Sequence, residues 1–178
     1  SVITDTDINQ YNILKKIQKK RKLKIYCVGS KSKIFKIINN KINNNNQVLE
    51  IKFQKKLYKI KVNLFGSIQI KNLLMAILAA KTCGLKVNSI FKKIEKIKSI
   101  PGRLELIRTL PNKSKVFLDY AHTPDALRNA LSMLRECTVG KVHLVFGCGG
   151  DRDKGKRFEM TKVACAGADR VWATADNP

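Results

Sequence analysis

Between Val116 and Ala175 the apolar residues change period from strand-like to helix-like and back, and this alternation constrains the fold more than any other feature of the chain. Val116 to Tyr120, Lys141 to Phe146 and Arg170 to Ala175 read as strands. Between them, Pro124 to Cys137 places Leu127, Ala130, Leu131 and Leu134 on one helical face, and Arg157 to Ala168 reads as a second helix. Thr123 can cap the first helix with its hydroxyl, and Pro124 suits the first helical position. Strands and helices in strict alternation predict an α/β fold with a parallel, doubly wound sheet, whose ligands gather at the C-terminal ends of the strands.

The preceding hundred residues read differently. Ile13, Leu14 and Ile17 suit one face of a helix over Tyr11 to Lys20, and Lys24 to Val28 is a strand ending at Gly29-Ser30. Gln47 to Phe53 and Leu57 to Leu64 alternate as two strands of a hairpin turning near Gln54 to Lys56, after a polar loop over Asn39 to Asn46. A helix is expected over Asn72 to Cys83, stopped by Gly84. A second should be capped by Asn88 and run through Ile97, with Ile90, Phe91, Ile94 and Ile97 inward. Ser1 to Gln10 carries no start signal, so the chain is expected to begin in mid-domain. Pro101-Gly102 then breaks the chain, and a domain boundary is expected near Ile100 to Glu105.

Charge follows the same division. The chain holds 36 Lys and Arg against 13 Asp and Glu, for a net charge of +23, concentrated in the first hundred residues. One interpretation is a nucleic-acid-binding module. The other is codon drift toward Lys, Asn and Ile with the lysines solvated, which the scarcity of aromatics and the lack of a nucleic-acid motif favour. The longest apolar run, Leu73 to Ala80, is too short for a membrane helix of about 20 residues, so no membrane insertion is expected. The five cysteines are odd in number and form no C-x-x-C pair, which argues against a disulfide framework or zinc knuckle and for a reducing, cytoplasmic setting.

Two strand-to-helix turns carry the chemistry-bearing residues. Gly147 to Arg157 contains Gly150 to Lys156 in the pattern G-x-x-x-x-G-K, but Arg157 stands where a phosphate-binding P-loop needs Ser or Thr for magnesium. Its glycines still let backbone N–H groups approach an anion, and Arg152 can fork onto a carboxylate. The other turn, Asp119-Tyr120-Ala121-His122-Thr123-Pro124-Asp125, clusters polar groups at a strand exit. There His122 fits a structural histidine as well as a site residue. His143 and Trp172, inside strands, read as structural and core residues.

Four segments follow one another at the spacing of the Mur ligases: Pro101-Gly102-Arg103-Leu104-Glu105, Asp119 to Leu127 (DYAHTPDAL), Phe146 to Arg157 (FGCGGDRDKGKR) and Asp176-Asn177-Pro178. The third most closely resembles the diamino-acid-adding branch. The resemblance is strong from about Leu64 onward. It implies that residues 1–102 are the C-terminal part of a central ATP-binding domain and residues 103–178 the first part of a C-terminal Rossmann-like ligase domain. The chain would then be an internal fragment, inactive alone, with the P-loop, the Mg2+ ligands and the uridine-nucleotide domain upstream.

The same resemblance implies roles residue by residue. Asn72 matches an asparagine near the ATP site, and Gln69 replaces the usual asparagine of that element. Arg103 matches a hinge arginine at the ATP phosphates, Asp119 a residue at the ribose, and His122 lies beside it. Arg152 matches the arginine holding the incoming diamino acid, and Asp176, Asn177 and Pro178 the first three letters of the D-N-P-R motif for meso-diaminopimelate. No catalytic residue is certain, and no metal ligand is expected within the chain. The implied reaction uses ATP to activate the carboxylate of a UDP-N-acetylmuramoyl dipeptide as an acyl phosphate, which the amine of a diamino acid then attacks. No nucleic acid would take part. A lysine-adding or folylpolyglutamate-synthetase-like ligase is the related alternative.

Overall fold

The computed structural model describes residues 1–43, 46–148 and 154–175, without the side chains of Asn43 and Lys154. It contains two compact units, Ser1–Lys98 and Ser99–Pro178. In the first, β1 (Val2–Asp5) and β2 (Ile25–Val28) pair in parallel through the intervening α1 (Tyr11–Arg21). Three further strands, β3 (Phe35–Asn43), β4 (Asn46–Phe53) and β5 (Lys56–Val62), form an antiparallel sheet in that order. Helices α2 (Ser67–Thr82) and α3 (Val87–Ile94) complete the unit.

The core of this unit is built by period. Leu49, Ile51 and Phe53 occupy alternate positions of β4, Ile60 and Val62 do so on β5, and all are buried. Against them lie Ile70, Leu73, Leu74, Ile77 and Leu78 of α2, with Phe91 and Ile94 of α3. Each such side chain contributes about 1.5–3 kcal/mol on burial, so the hairpin and α2 together form the structural centre of the unit.

Several sequence expectations need correction here. The polar run Asn39 to Asn46 is not simply a loop, because Asn39 to Asn43 belongs to β3 and pairs with β4; residues 44–45 lie outside the described residues. Cross-strand pairing outweighs the low strand propensity of asparagine. Helix α2 begins five residues earlier than expected, immediately after Gly66 at φ 84°. Asn88 does not cap α3: the cap position is Lys86, and the Asn88 amide oxygen accepts the Tyr58 hydroxyl at 3.3 Å. Ile97, expected inward, is exposed beyond the end of α3, and α1 buries none of its residues.

In the second unit, β6 (Glu105–Thr109) and β7 (Lys115–Leu118) pair antiparallel, and α4 (Pro124–Cys137) follows. The side chain of Thr123 accepts the Ala126 N–H at 3.2 Å with Pro124 behind it, as the sequence predicts. Strand β8 (His143–Cys148), α5 (Lys154–Gly167) and β9 (Arg170–Ala175) complete a parallel pair, Leu144 opposite Val171 and Phe146 opposite Ala173. Leu127 and Leu131 of α4 pack with Met160, Val163 and Ala164 of α5. The first strand of the expected parallel series, β7, thus bonds to β6, which the periodicity did not reveal. Trp172 is not core: it is 47% exposed on the opposite face from Val171 and stacks on His143 at 5.6 Å.

Asp169 fastens the α5–β9 junction to the start of β8. Its carboxylate accepts the Val142 N–H at 2.7 Å and pairs with Arg135 at 2.8 Å, and these two contacts hold its pKa below the ordinary carboxylate value. No helix among the described residues is long and apolar enough to cross a membrane, and all five cysteines are free.

Candidate functional site

In the second unit the turn before β6 folds onto the exit of β7. Gly102, at φ 65°, gives its carbonyl to the Tyr120 N–H at 2.8 Å, and its own N–H donates to Glu105 Oε2 at 2.8 Å. Leu104 takes φ 46°, a conformation that costs a non-glycine residue about 1 kcal/mol or more. Two features hold it there: its N–H donates to Asp119 Oδ2 at 2.7 Å, and its side chain is buried. A strained position so firmly over-determined is typical of a site where an adjacent side chain must be aimed.

That adjacent residue is Arg103. Its guanidinium carbon lies 5.9 Å from the centroid of the Tyr120 ring, within cation–π range. The Tyr120 ring lies 5.2 Å from that of His122. His122 Nδ1 is 3.1 Å from the Tyr120 carbonyl, which can only accept, so Nδ1 is the donor in this bond and Nε2 is left for outward contacts. Arg103, from one motif, and Asp119 and His122, from another, therefore converge at one strand exit. Tyr120, which joins them, was read only as part of its motif.

A second cluster occupies the strand exits of the first unit. Lys71 Nζ lies 3.0 Å from Asp5 Oδ2 and 2.6 Å from Asp7 Oδ2. Asp7 also accepts the backbone N–H of Ser30 at 3.0 Å and the Ser30 hydroxyl, while Asp5 Oδ1 accepts the Asp7 N–H at 2.9 Å. Gly29, at φ +104°, leaves the room required: a Cβ there would overlap side-chain oxygens of Asp5 and Thr6. Gly29→Ala should therefore destabilise the unit by about 1–3 kcal/mol, read as a lower urea midpoint at unchanged slope.

The hydrogen bonds from Lys71 and Ser30 hold the Asp7 carboxyl well below the usual carboxylate range. Burial pulls Lys71 down, but Asp7 and Asp5 together carry it above its ordinary value. The sign for stability follows. An acid whose folded pKa is depressed stabilises the fold above its unfolded pKa, near 4, and that contribution is lost as pH falls through the depressed folded value. Asp7→Asn should cost about 1 kcal/mol at pH 7 and progressively less in acid, checked by urea melts at pH 7 and pH 3.

On α2, Gln69 is buried and Asn72 exposed, one either side of Ile70 and Lys71. The linear order of residues does not by itself announce Asp5, Asp7, Ser30 and Lys71 as a group. The short apolar pair Val2-Ile3 before Asp5, and the Gly29-Ser30 end of the next strand, are the signals that could have found it. Arg152 lies outside the described residues, as do Asp176, Asn177 and Pro178.

Comparison with known proteins bears on both clusters. Residues 1–80 match the Mur ligase middle domain, and residues 102–178 match the Mur ligase glutamate ligase domain. The chain is 39% identical over 159 residues to the UDP-N-acetylmuramoyl-L-alanyl-D-glutamate--2,6-diaminopimelate ligase of Zymomonas mobilis, covering 89% of this chain and 33% of that protein. To the ligase of the same name from Rickettsia bellii it is 35% identical over 178 residues, covering 99% of this chain and 36% of that protein. A solved structure of a ligase of that name superposes with a TM-score of 0.66 at 30% identity, over 100% of this chain and 37% of the other. The chain thus spans about a third of the length of the curated relatives it matches. With two domain models of one family matched in consecutive order, and with relatives and fold in agreement, the chain belongs to the Mur ligase family.

Proposed function

We propose that the chain supplies part of the nucleotide site and part of the amino-acid site of an ATP-dependent ligase. This ligase would join meso-diaminopimelate to UDP-N-acetylmuramoyl-L-alanyl-D-glutamate in peptidoglycan synthesis. The observation that carries this reading is the turn at Pro101–Leu104, clipped to the β7 exit so that Arg103 stands beside Tyr120, whose ring in turn adjoins His122. The names of the relatives at 35–39% identity support the same substrates. The division of labour we infer is residues 1–102 within the central ATP-binding domain and residues 103–178 within the ligase domain. A cytoplasmic location suits such nucleotide-linked substrates.

The chemistry runs in two steps. A carboxylate oxygen of the nucleotide dipeptide attacks the γ-phosphorus of ATP, the bond to the β,γ-bridging oxygen breaks, and ADP leaves with that electron pair. The amine of the diamino acid then attacks the acyl carbon, inorganic phosphate departs, and the amine loses a proton. Arg103 would sit against the transferring phosphate, where a fixed cation stabilises charge in the transition state. Asp119 spends one oxygen on the Leu104 N–H and would offer the other to a ribose hydroxyl, with His122 Nε2 beside it. Asn72, with Gln69, would face the adenine. Arg152 would hold the carboxylate of the diamino acid, whose far end Asp176, Asn177 and Pro178 would read.

Magnesium is expected for such a phosphoryl transfer, and the described residues form no site that fits it. No three acidic, histidine or cysteine side chains converge among the described residues, and the Asp5–Asp7 pair is taken by the Lys71 ammonium. We assign its ligands to the remaining two thirds of the ligase and derive no step through it. The test is ADP release by the complete ligase. It should require both the nucleotide dipeptide and the diamino acid, and release independent of either would count against the reading.

A further inference from the structure

Helix α2 rests on its neighbours through one apolar stripe. At about 100° per residue, Leu73, Leu74, Ile77 and Leu78 fall within about 80° of Ile70 around the helix axis. Lys71 flanks that stripe on one side and Gln69 on the other, with Asn72 about 60° further round beyond Gln69. Apolar contact is non-directional, so the stripe alone limits how deep the helix sits more than how it is rolled. A roll of about 10° would carry a side-chain tip 5–6 Å from the axis through about 1 Å. At a reacting site a displacement of that size can cost about a hundredfold in rate.

A directed tie lies on the flank opposite Gln69, about 100° round the helix from Asn72. Lys71 reaches Asp5 at 3.0 Å and Asp7 at 2.6 Å, and its side chain is only 29% exposed. These are not loose surface carboxylates. Asp5 ends β1, Asp7 is pinned by the backbone and hydroxyl of Ser30 at the end of β2, and Gly29 gives the two acids their space. The helix is thus fastened to the C-terminal ends of both parallel strands by bonds with fixed direction.

We propose that Lys71 is a positioning residue for nucleotide binding: gripped by Asp5 and Asp7 on one flank of α2, it sets the roll of the helix and with it the aim of Gln69 on the other flank and of Asn72 on the outer face. The inference rests on the assignment of Asn72 to the adenine side, and the experiment separates the two. In the complete ligase, Lys71→Met, Lys71→Arg, Asp7→Asn and Asn72→Ala are compared with the parent for kcat and for the KM of ATP and of diaminopimelate.

Lys71→Met should raise the KM for ATP about three- to tenfold and leave that for diaminopimelate within about twofold, while Lys71→Arg, which keeps the cation, recovers most of the loss. Asp7→Asn should raise the ATP constant by a smaller factor, and combining it with Lys71→Met should add nothing further. If Asn72→Ala raises the ATP constant but Lys71→Met does not, the positioning role is wrong and the adenine assignment stands. If neither variant moves it, the adenine assignment falls and the inference with it. Equal rises in both constants with a lowered melting temperature would assign Lys71 a purely structural role and overturn the proposal. Should Lys71→Met not fold, Asp7→Asn decides, since an unchanged ATP constant in that variant is equally fatal.

Discussion

Replacing Arg103 with alanine in the complete ligase should lower kcat by about a hundred- to a thousandfold, the loss typical when one fixed group that stabilises developing charge is removed. The scaffold around Arg103 explains why so much is expected of one side chain. Gly102 and Leu104 on either side of it both have positive φ, and Asp119, Glu105 and the Tyr120 N–H lock that turn by hydrogen bonds of 2.7–2.8 Å. These bonds are made by the backbone of the turn with Asp119, Glu105 and the Tyr120 N–H, so they persist when Arg103→Ala removes the cation. Circular dichroism and the melting temperature should therefore stay close to the parent. Arg103→Lys should recover only part of the rate, because an ammonium neither stacks on Tyr120 as a plane nor presents a fork to phosphate. A fall in kcat matched by a large loss of stability would mean that Arg103 belongs to the fold and not to the reaction.

The second large effect should come from Arg152. If its guanidinium clamps the carboxylate of the diamino acid, Arg152→Lys keeps the charge and loses the planar fork. A lost charge-assisted pair is worth about 1.5–3 kcal/mol, or roughly ten- to a hundredfold in the apparent affinity for diaminopimelate, with the ATP constant almost unmoved. The neighbouring cations provide the contrast. If Lys156 or Arg157 were the main anion contacts and the loop a phosphate cradle, the ATP constant would suffer first. Steady-state kinetics varying each substrate separately distinguish the two, and a selective rise in the ATP constant for Arg152→Lys would remove the amino-acid assignment.

Where several local signals agreed, the fold was legible in the sequence. At α4 the Thr123 cap, Pro124 and a clean helical period point one way, and the helix runs from Pro124 to Cys137 as predicted. The β4–β5 hairpin was equally clear, because alternation fixes which residues enter the core. Where local signals conflicted, tertiary pairing decided. Asparagines in β3 join a ladder that their propensity argues against, and β1 and β6 are four and five residues long, too short for a period to emerge. The start of α2 was missed because Ile68 and Ile70 alternate like a strand and no capping side chain announces the helix.

The candidate sites divide along the same line. Resemblance to the Mur ligases could nominate Arg103, Asp119 and His122, but not the bond that joins two of the segments. That bond, from the Leu104 N–H to Asp119, joins residues 15 positions apart, and Leu104 takes a left-handed conformation that nothing in its side chain favours. The Lys71 cluster was beyond reach for another reason. Its members lie 23 to 66 residues apart, apart from the Asp5–Asp7 pair, and meet only once β1 and β2 are known to run in parallel beside α2.

The central claim, that these residues serve amide ligation on a uridine-linked peptide, is tested most directly by identifying the product. The complete ligase would be incubated with ATP, UDP-N-acetylmuramoyl-L-alanyl-D-glutamate and an equimolar mixture of meso-diaminopimelate and L-lysine, and the nucleotide fraction analysed by mass spectrometry. The account predicts one new species, the diaminopimelate tripeptide, formed in step with ADP and absent without ATP. Lysine as the amino acid incorporated would contradict the specificity. The absence of any ATP-dependent adduct, together with retention on DNA that weakens steeply with salt, would contradict the account as a whole.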